Sequence, residues 1–187
     1  MGGNKKTPFD VNDKANMPLS LYGATKRSNE LIAHSYSHTH GIHTTGLRFF
    51  TVYGPWYRPD MGMYIFTKKI IEGKPISVFN NGNMNRDFTY IDDIVDGTIS
   101  AIEKNYKYEV FNLGNSKSEN LMDMIKIIEL ELGKKAKIKF KPLQDGDMVS
   151  TFANINHTTE KISFKPKTDI KNGIPKLISW YKEYYNV

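Results

Sequence analysis

Pro18-Leu19-Ser20-Leu21-Tyr22-Gly23-Ala24-Thr25-Lys26 is the stretch of this 187-residue chain that decides its fold. Apolar and small side chains recur at three- and four-residue steps and predict a helix over residues 20–40; they are Leu21, Ala24, Ser28, Leu31, Ile32 and Ser35. Gly41 is the predicted stop of this helix. Tyr22 and Lys26 then lie one turn apart on the same face, about 5–6 Å from each other. Because the ammonium favours the phenolate, the pair is a candidate general base.

The rest of the chain alternates strand and helix patterns. Strands are predicted at residues 44–52, 76–79, 88–91 and 109–113, and helices at 62–72, 92–104, 121–132 and 170–185. Asp92 or Asp93 is the expected N-cap of the helix that ends near residue 104. Residues 142–157 follow no regular pattern, and irregular stretches of this length are often functional. The alternation predicts an α/β fold.

Length and composition indicate one ordinary globular domain. The chain can bury one core and is too short for two comfortable ones. No apolar run approaches the ~18 residues of a membrane span, and no apolar block follows the first lysines as in a secretory signal. The chain has no cysteine, which excludes disulfides and thiolate metal sites. We therefore expect no membrane association and a cytoplasmic location.

The formal charge of +6 comes from lysines spread along the sequence. Their densest cluster alternates with Ala136, Ile138 and Phe140, as on the solvent face of an edge strand; it consists of Lys134, Lys135, Lys137, Lys139 and Lys141. No stacking or groove-reading motif accompanies this charge, so we expect no nucleic-acid binding. A modest positive field suits a small anionic ligand.

Four histidines lie within ten residues, at His34, His38, His40 and His43. A zinc site needs ligands that converge on one point, and neither cysteine nor a fitting set of carboxylates accompanies these side chains. We therefore expect no metal.

Several motifs carry a resemblance to a known family. The first is the tyrosine motif with the following Asn29-Glu30-Leu31. The second is Gly46-Leu47-Arg48-Phe49-Phe50-Thr51-Val52-Tyr53-Gly54-Pro55-Trp56, followed by Arg58-Pro59-Asp60-Met61. The third is Asn83-x-x-Arg86-Asp87-Phe88-Thr89-Tyr90-Ile91-Asp92-Asp93-Ile94, and shorter matches are Phe111-Asn112-Leu113-Gly114, Gly146-Asp147 and Thr151-Phe152-Ala153-Asn154. Together they resemble the NAD-dependent epimerase/dehydratase family of extended short-chain dehydrogenase/reductases. The second motif resembles the subgroup that interconverts UDP-glucuronate and UDP-galacturonate.

The resemblance covers nearly the whole chain, from the Gly2-Gly3-Asn4-Lys5-Lys6 region onward. It implies the C-terminal part of a Rossmann-like parallel sheet, at about residues 1–60 and 85–115. A small nucleotide-sugar-binding subdomain would take about residues 61–84 and 116–187. The glycine-rich NAD turn of the family and its Ser or Thr for the sugar hydroxyl have no counterpart in this sequence. We therefore expect a truncated unit with little or no catalytic turnover by itself.

The resemblance also implies NAD as cofactor and a UDP-sugar as substrate, with UDP-glucuronate first among the candidates. Tyr22 would take the proton of the sugar 4-hydroxyl while the C4 hydride passes to NAD, and the 4-keto sugar would then turn over. Lys26 would steady the phenolate and hold the nicotinamide ribose. Phe49 matches the residue beside the nicotinamide, although an aromatic strand residue is equally at home in a core.

Five further residues match substrate contacts of the family. Thr51 and Arg58 match positions facing the sugar carboxylate, and a guanidinium suits such a two-point contact. Thr51 also fits the role of an ordinary β-branched strand residue. Arg86 matches the diphosphate clamp, and Phe79 the residue beside the uracil, although Phe79 also fits packing. Asp147 matches a ribose contact, but the family's preceding arginine is absent here.

Alternatives remain open at this stage. The chain could derive from another nucleotide-sugar epimerase or from a 4,6-dehydratase, whose distinguishing carboxylates would lie upstream. A rival of a different class is a non-catalytic module that binds UDP-sugars or pairs with another subunit. Family members commonly dimerise through helices that include the Tyr-Lys helix, so a homodimer is a possible assembly.

Overall fold

Short strand pairs flanked by helices make up this chain, seen here in a computed structural model that describes residues 6–13, 15–144 and 147–187. The helices are α1 (Leu21–His40), α2 (Gly62–Ile71), α3 (Ile91–Lys104), α4 (Leu121–Leu132), α5 (Asn156–Ile162) and α6 (Ile170–Tyr185). The strands are β1 (Thr44–Phe49), β2 (Thr51–Tyr53), β3 (Ile76–Phe79), β4 (Asn85–Arg86), β5 (Phe88–Tyr90), β6 (Tyr108–Leu113), β7 (Glu119–Asn120) and β8 (Ile138–Lys141). A 3-10 turn occupies Asn80–Gly82.

Three of the strand pairs are parallel, which confirms the predicted α/β class. β1 pairs with β6, β2 with β5, and β3 with β8, whereas β4 and β7 are antiparallel. The single strand predicted for residues 44–52 is wrong, because the backbone changes partner at Phe50. The N–H of Phe50 donates to Leu113 O at 3.0 Å, and the N–H of Thr51 donates to Asp87 O at 3.1 Å.

Helix α1 begins and ends where the sequence predicts. The Ser20 hydroxyl accepts from the N–H of Gly23 at 3.1 Å, and Gly41 closes the helix with a φ of 67°. The apolar residues whose spacing predicted the helix do not lie in the core: Leu21 keeps 83% of its surface exposed, and Leu31 and Ile32 are half-exposed. The buried residues of the helix are the small Gly23 and Ser37. The apolar side chains of α1 therefore lie on the surface of the described part of the chain.

The predicted cap of α3 is wrong for a long-range reason. Tyr90 is the N-cap residue of α3, and no side chain caps that helix. The buried carboxylate of Asp93 instead accepts the N–H groups of Lys167 and Thr168, each at 3.0 Å. It thereby anchors the segment that leads into α6. Helix α5 was not predicted, and it begins within the stretch expected to be irregular.

The buried side chains form one large and two small clusters. The large cluster lies among α2, α4, α6 and strands β2, β3 and β5, and its fully buried members include Tyr53, Met63 and Leu177. A second cluster joins α3, β6 and α5, and the third consists of Phe9, Phe50 and Ala153. The predicted lysine-bearing strand is present as β8, with Lys139 and Lys141 exposed. No helix among the described residues is long and apolar enough to cross a membrane.

Gly97 permits the close packing of α3 against the second cluster, and this generates a stability prediction. A Cβ at this position would lie 2.7 Å from the Phe164 ring and 3.0 Å from the Leu113 side chain. We expect Gly97→Ala to lower the free energy of unfolding by roughly 1–3 kcal/mol, as overpacking does. Gly62→Ala is the matched control, because a Cβ at the start of α2 meets nothing within 4 Å. Equal urea midpoints for the two variants would contradict this packing.

Candidate active site

Tyr22 and Lys26 lie side by side on the open face of α1. The Lys26 Nζ is 5.2 Å from the centroid of the Tyr22 ring. The Tyr22 side chain keeps 72% of its surface exposed. Because Ser20 caps the helix just before Tyr22, the first turn that carries this side chain is fixed. The pair therefore presents a phenol and an ammonium to any ligand on this face.

Glu30 attaches this helix to β1. Its carboxylate accepts two hydrogen bonds from Arg48, at 2.7 and 2.9 Å, and one from Arg27 at 2.7 Å. Arg48 also donates to Val11 O at 3.0 Å. Burial alone would raise the pKa of Glu30, but the hydrogen bonds from Arg48 and Arg27 outweigh it and hold the pKa below its ordinary value. Since Glu30 lies one turn beyond Lys26, this cluster also fixes the orientation of the Tyr-Lys pair.

Phe49 and Thr51 lie where β1 gives way to β2. Phe49 ends β1 with 48% of its surface exposed, so its ring is open to a ligand. It lies at the carboxyl end of a parallel strand, which is where α/β folds commonly bind ligands. Thr51 is half-buried in β2. Phe49 therefore lies outside the core of the described part of the chain.

Arg58 lies in the loop after β2 and already holds a carboxylate. Its Nε and Nη2 donate to the two oxygens of Asp60, at 3.0 and 2.6 Å. The hydrogen bonds and negative charge of Asp60 raise the pKa of Arg58, and the Tyr22 phenol contributes in the same direction. Arg58 is thus an exposed guanidinium whose partner in this structure is a carboxylate.

An aromatic cluster supports the loop that carries Arg58. Trp56 has a φ of 61° and is largely exposed. Its ring centroid lies 5.5 Å from that of Trp180 and 5.2 Å from that of Tyr184, both in α6. The contact between Trp56 and α6 restrains the chain just before Arg58.

Arg86 and Asp147 meet although they are far apart in the sequence. The Arg86 Nη2 lies 3.8 Å from Asp147 Oδ1. Its Nη1 donates to Asn85 O at 2.9 Å and to Val149 O at 3.3 Å. Burial lowers the pKa of Arg86, and the charge of Asp147 opposes this. A second anion would therefore further stabilise this guanidinium. Gly146, the predicted partner of Asp147 in its motif, lies outside the described residues, as does the Gly2–Lys5 stretch.

Phe79 lies at the end of β3, half-buried and opposite Lys141 of β8. Strand β8 leads into the segment before Asp147. Among the predicted site residues, the structure thus joins Tyr22 with Lys26 and Arg86 with Asp147.

Asp87 is a residue of this region to which the sequence pattern assigned no role. Its side chain is fully buried and accepts hydrogen bonds from the N–H groups of Asn115, Ser116 and Ala153 and from the Thr89 hydroxyl. Burial raises the pKa of Asp87, and these four donors oppose the rise. The sequence signal for Asp87 is a carboxylate between Arg86 and an apolar strand. A charged side chain buried there needs hydrogen-bond donors around it.

The histidines have other partners. His34 packs edge-on against Tyr108 with ring centroids 4.8 Å apart, and His43 Nδ1 lies 2.9 Å from Asn105 O. Within residues 6–13, 15–144 and 147–187, no group of three His, Asp or Glu side chains could hold a metal ion.

Comparison with known proteins decides the lineage. A model of the NAD dependent epimerase/dehydratase family matches residues 2–114. The chain belongs to this family. An uncharacterized protein of Methanocaldococcus jannaschii is 53% identical over 182 residues, which cover 97% of this chain and 56% of the relative. UDP-glucuronate 4-epimerase 4 of Arabidopsis thaliana is 45% identical over 202 residues, which cover 99% of this chain and 46% of the relative.

Solved structures agree with the family assignment. The UDP-glucuronic acid 4-epimerase of Bacillus cereus, in complex with UDP-glucuronic acid and NAD, is similar with a TM-score of 0.85 and 37% identity. The match covers 90% of this chain and 55% of that one. The chain thus spans about half the length of the relatives it matches, and it shares their Rossmann-like epimerase fold.

The Glu30 cluster predicts a pH-dependent contribution to stability. Because folding lowers the pKa of Glu30, its stabilisation is present above the ordinary pKa of 4.5 and is lost as the pH falls through the folded value. At about pH 7 we expect Glu30→Gln to lower the free energy of unfolding by roughly 2 kcal/mol, as for a hydrogen bond to a charged group. Denaturant titrations should show this difference shrinking as the pH falls below 4.5.

Glu72→Gln is the control, since Glu72 pairs with the exposed Lys74 at the surface. We expect little change in its stability at any pH. A Glu30→Gln difference that stays constant from neutral to acidic pH would show that the charge of Glu30 is not what stabilises α1.

Proposed function

We propose that this chain carries the catalytic base and the sugar-nucleotide side of an NAD-dependent 4-epimerase whose substrate is UDP-glucuronate. The observation that carries the proposal is the exposed Tyr22–Lys26 pair at the start of α1. Arg58, which grips a carboxylate at two points, adds to it. The Arabidopsis and Bacillus relatives, named for this activity, support the same substrate.

The residues at the end of β1 fit the nicotinamide end of NAD. Phe49 offers an open aromatic face, and Lys26 offers an exposed ammonium beside Tyr22. NAD held there would supply the hydride acceptor and donor for the sugar C4. No glycine-rich dinucleotide turn occurs in the sequence, so the remainder of this cofactor site would be supplied by the part of the relatives that this chain does not match.

Tyr22 acts as the base that takes the proton from the sugar 4-hydroxyl and later returns it to the same oxygen. The Lys26 ammonium stabilises the phenolate during this transfer because a cation one helical turn away favours the charged form. The Glu30 cluster keeps α1 in register on β1, so both groups stay aimed at one place. The 4-keto sugar formed in between rotates within the site and is then reduced on its other face.

Arg58 and Thr51 select the uronate carboxylate. The two-point contact between Arg58 and Asp60 shows that this guanidinium can hold a carboxylate in the geometry that an arginine fork prefers. Both partners are exposed, so a substrate carboxylate can replace Asp60 or share Arg58 with it. The Thr51 hydroxyl is a short donor on the neighbouring strand.

Arg86, Asp147 and Phe79 bind the other end of the substrate. The half-buried Arg86 guanidinium carries one long ion pair and so retains capacity for a diphosphate. Asp147 accepts hydrogen bonds from the uridine ribose, and Phe79 lies against the uracil.

A homodimer through α1 completes the proposal. The helix presents Leu31, Ile32 and Tyr36 to the surface, each with more than half of its area exposed. An exposed apolar helix stripe of this kind favours association. Analytical ultracentrifugation of the chain and of a Leu31→Lys, Ile32→Lys variant tests it, and a wild-type chain that stays monomeric at high concentration would refute the dimer.

Tyr22→Phe tests the catalytic base. We expect the interconversion of UDP-glucuronate and UDP-galacturonate to fall by about 100-fold or more, because general base catalysis is lost. The measurement uses this chain joined to the unmatched remainder of the Methanocaldococcus relative, with NAD added. The affinity for UDP should not change. Turnover that survives the substitution, or is absent from the unaltered fusion, would disprove the proposed function.

Arg58→Ala tests the choice of sugar. We expect kcat/KM for UDP-glucuronate to fall roughly 10- to 100-fold, since a hydrogen bond to a charged group is lost. The value for UDP-glucose should change little because that sugar has no carboxylate. Asp60→Asn is the matched control, which frees Arg58 and should not reduce uronate turnover. An equal loss for both sugars would assign Arg58 a general role instead.

A further inference from the structure

We infer that Asp87 is a positioning residue that holds Arg86 and the 147–154 segment in the arrangement that accepts a nucleoside diphosphate. The inference rests on the proposed function, and it adds a residue that does not itself contact the substrate.

The carboxylate of Asp87 is saturated by donors on both oxygens. Oδ1 accepts the N–H of Asn115 at 2.6 Å and the Thr89 hydroxyl at 3.1 Å. Oδ2 accepts the N–H of Ala153 at 2.9 Å and the N–H of Ser116 at 3.0 Å. The side chain is fully buried, so these bonds replace all of its hydration.

These donors belong to separate parts of the chain. Asn115 and Ser116 follow β6, and Ala153 belongs to the segment after Asp147. The Ser116 hydroxyl also donates to Ala153 O at 2.9 Å, so the two parts are tied to each other as well as to Asp87. Asp87 is therefore the point at which the 147–154 segment is attached.

The position of that segment in turn sets the position of Arg86. The N–H of Asn85 donates to Val149 O at 2.9 Å, and the N–H of Thr151 donates to Asn85 O at 3.3 Å. The Arg86 guanidinium donates to the same Val149 oxygen and faces Asp147. Movement of the segment would thus withdraw two partners from Arg86 at once.

The site is shaped for an aspartate. A Cβ on Gly114 would lie 2.7 Å from the Ala153 Cβ and 2.9 Å from Asp87 Oδ2, so glycine is needed to bring these groups together. An asparagine would offer one oxygen and direct an NH2 group at N–H donors, which leaves at least one donor unpaired. Asp87→Asn therefore perturbs the attachment while changing almost no volume.

Asp93 provides a matched control. It is another buried aspartate that accepts two backbone N–H groups, from Lys167 and Thr168, and anchors the approach to α6. Asp93→Asn should lower stability in a similar way without touching the Arg86 region. Any effect on UDP that is specific to Asp87→Asn is then separated from a general loss of stability.

The experiment is titration calorimetry of the 187-residue chain with UDP, alongside thermal unfolding of each variant. We expect Asp87→Asn to raise the Kd for UDP about tenfold, which is ~1.4 kcal/mol. Asp93→Asn should change the Kd less than about twofold. In an Arg86→Ala background, Asp87→Asn should have no further effect, because it acts through Arg86. Hydrogen exchange should show faster exchange of the Ala153 amide in Asp87→Asn.

Thr89→Val is a second, milder variant that tests the same attachment if Asp87→Asn does not fold. It removes one of the four donors and keeps the shape of a buried side chain, so the chain should fold and bind UDP about two- to threefold more weakly.

Each outcome decides the inference. Wild-type affinity in Asp87→Asn, an equal loss in Asp93→Asn, or an additive loss in the double variant would overturn the positioning role and leave the proposed function standing. Failure of the unaltered chain to bind UDP would overturn the proposed diphosphate site, and the positioning role with it.

Discussion

The arrangement of the loops around Arg86 depends on one buried carboxylate, Asp87. A carboxylate removed from water is stable only where donors surround it, and Asp87 obtains three of its four donors from the backbone. Those donors fix the loops that carry them. The main-chain oxygen of Asp87 also accepts from Thr51, at the start of β2. One residue thus links β2 to the 147–154 segment.

The helices were predictable because their determinants are local. Periodicity and end signals place α1, α4 and α6 at the observed bounds, and Gly41 and Gly133 close two of them in the left-handed conformation. The partner change at Phe50 was not predictable, since it depends on where β5 and β6 lie. The same holds for Asp93, whose partners are 74 and 75 residues away.

The same distinction between local and long-range determinants applies to the residues of the candidate site. Tyr22 and Lys26 are neighbours by helical spacing, so the sequence alone brings them together. Arg86 and Asp147 were assigned through family resemblance, and only the fold shows that they meet. Asp87 received no role because its main-chain donors lie 28, 29 and 66 residues further on, and backbone N–H groups leave no mark on a sequence pattern.

The chain has two tryptophans, and Trp56 and Trp180 lie with ring centroids 5.5 Å apart. Intrinsic tryptophan emission therefore comes from a single place, the junction of the Arg58 loop with α6. Changes elsewhere in the molecule, such as loosening of α1, reach this signal only if they disturb that junction. The native chain thus contains a spectroscopic label on the loop that is proposed to grip the sugar carboxylate.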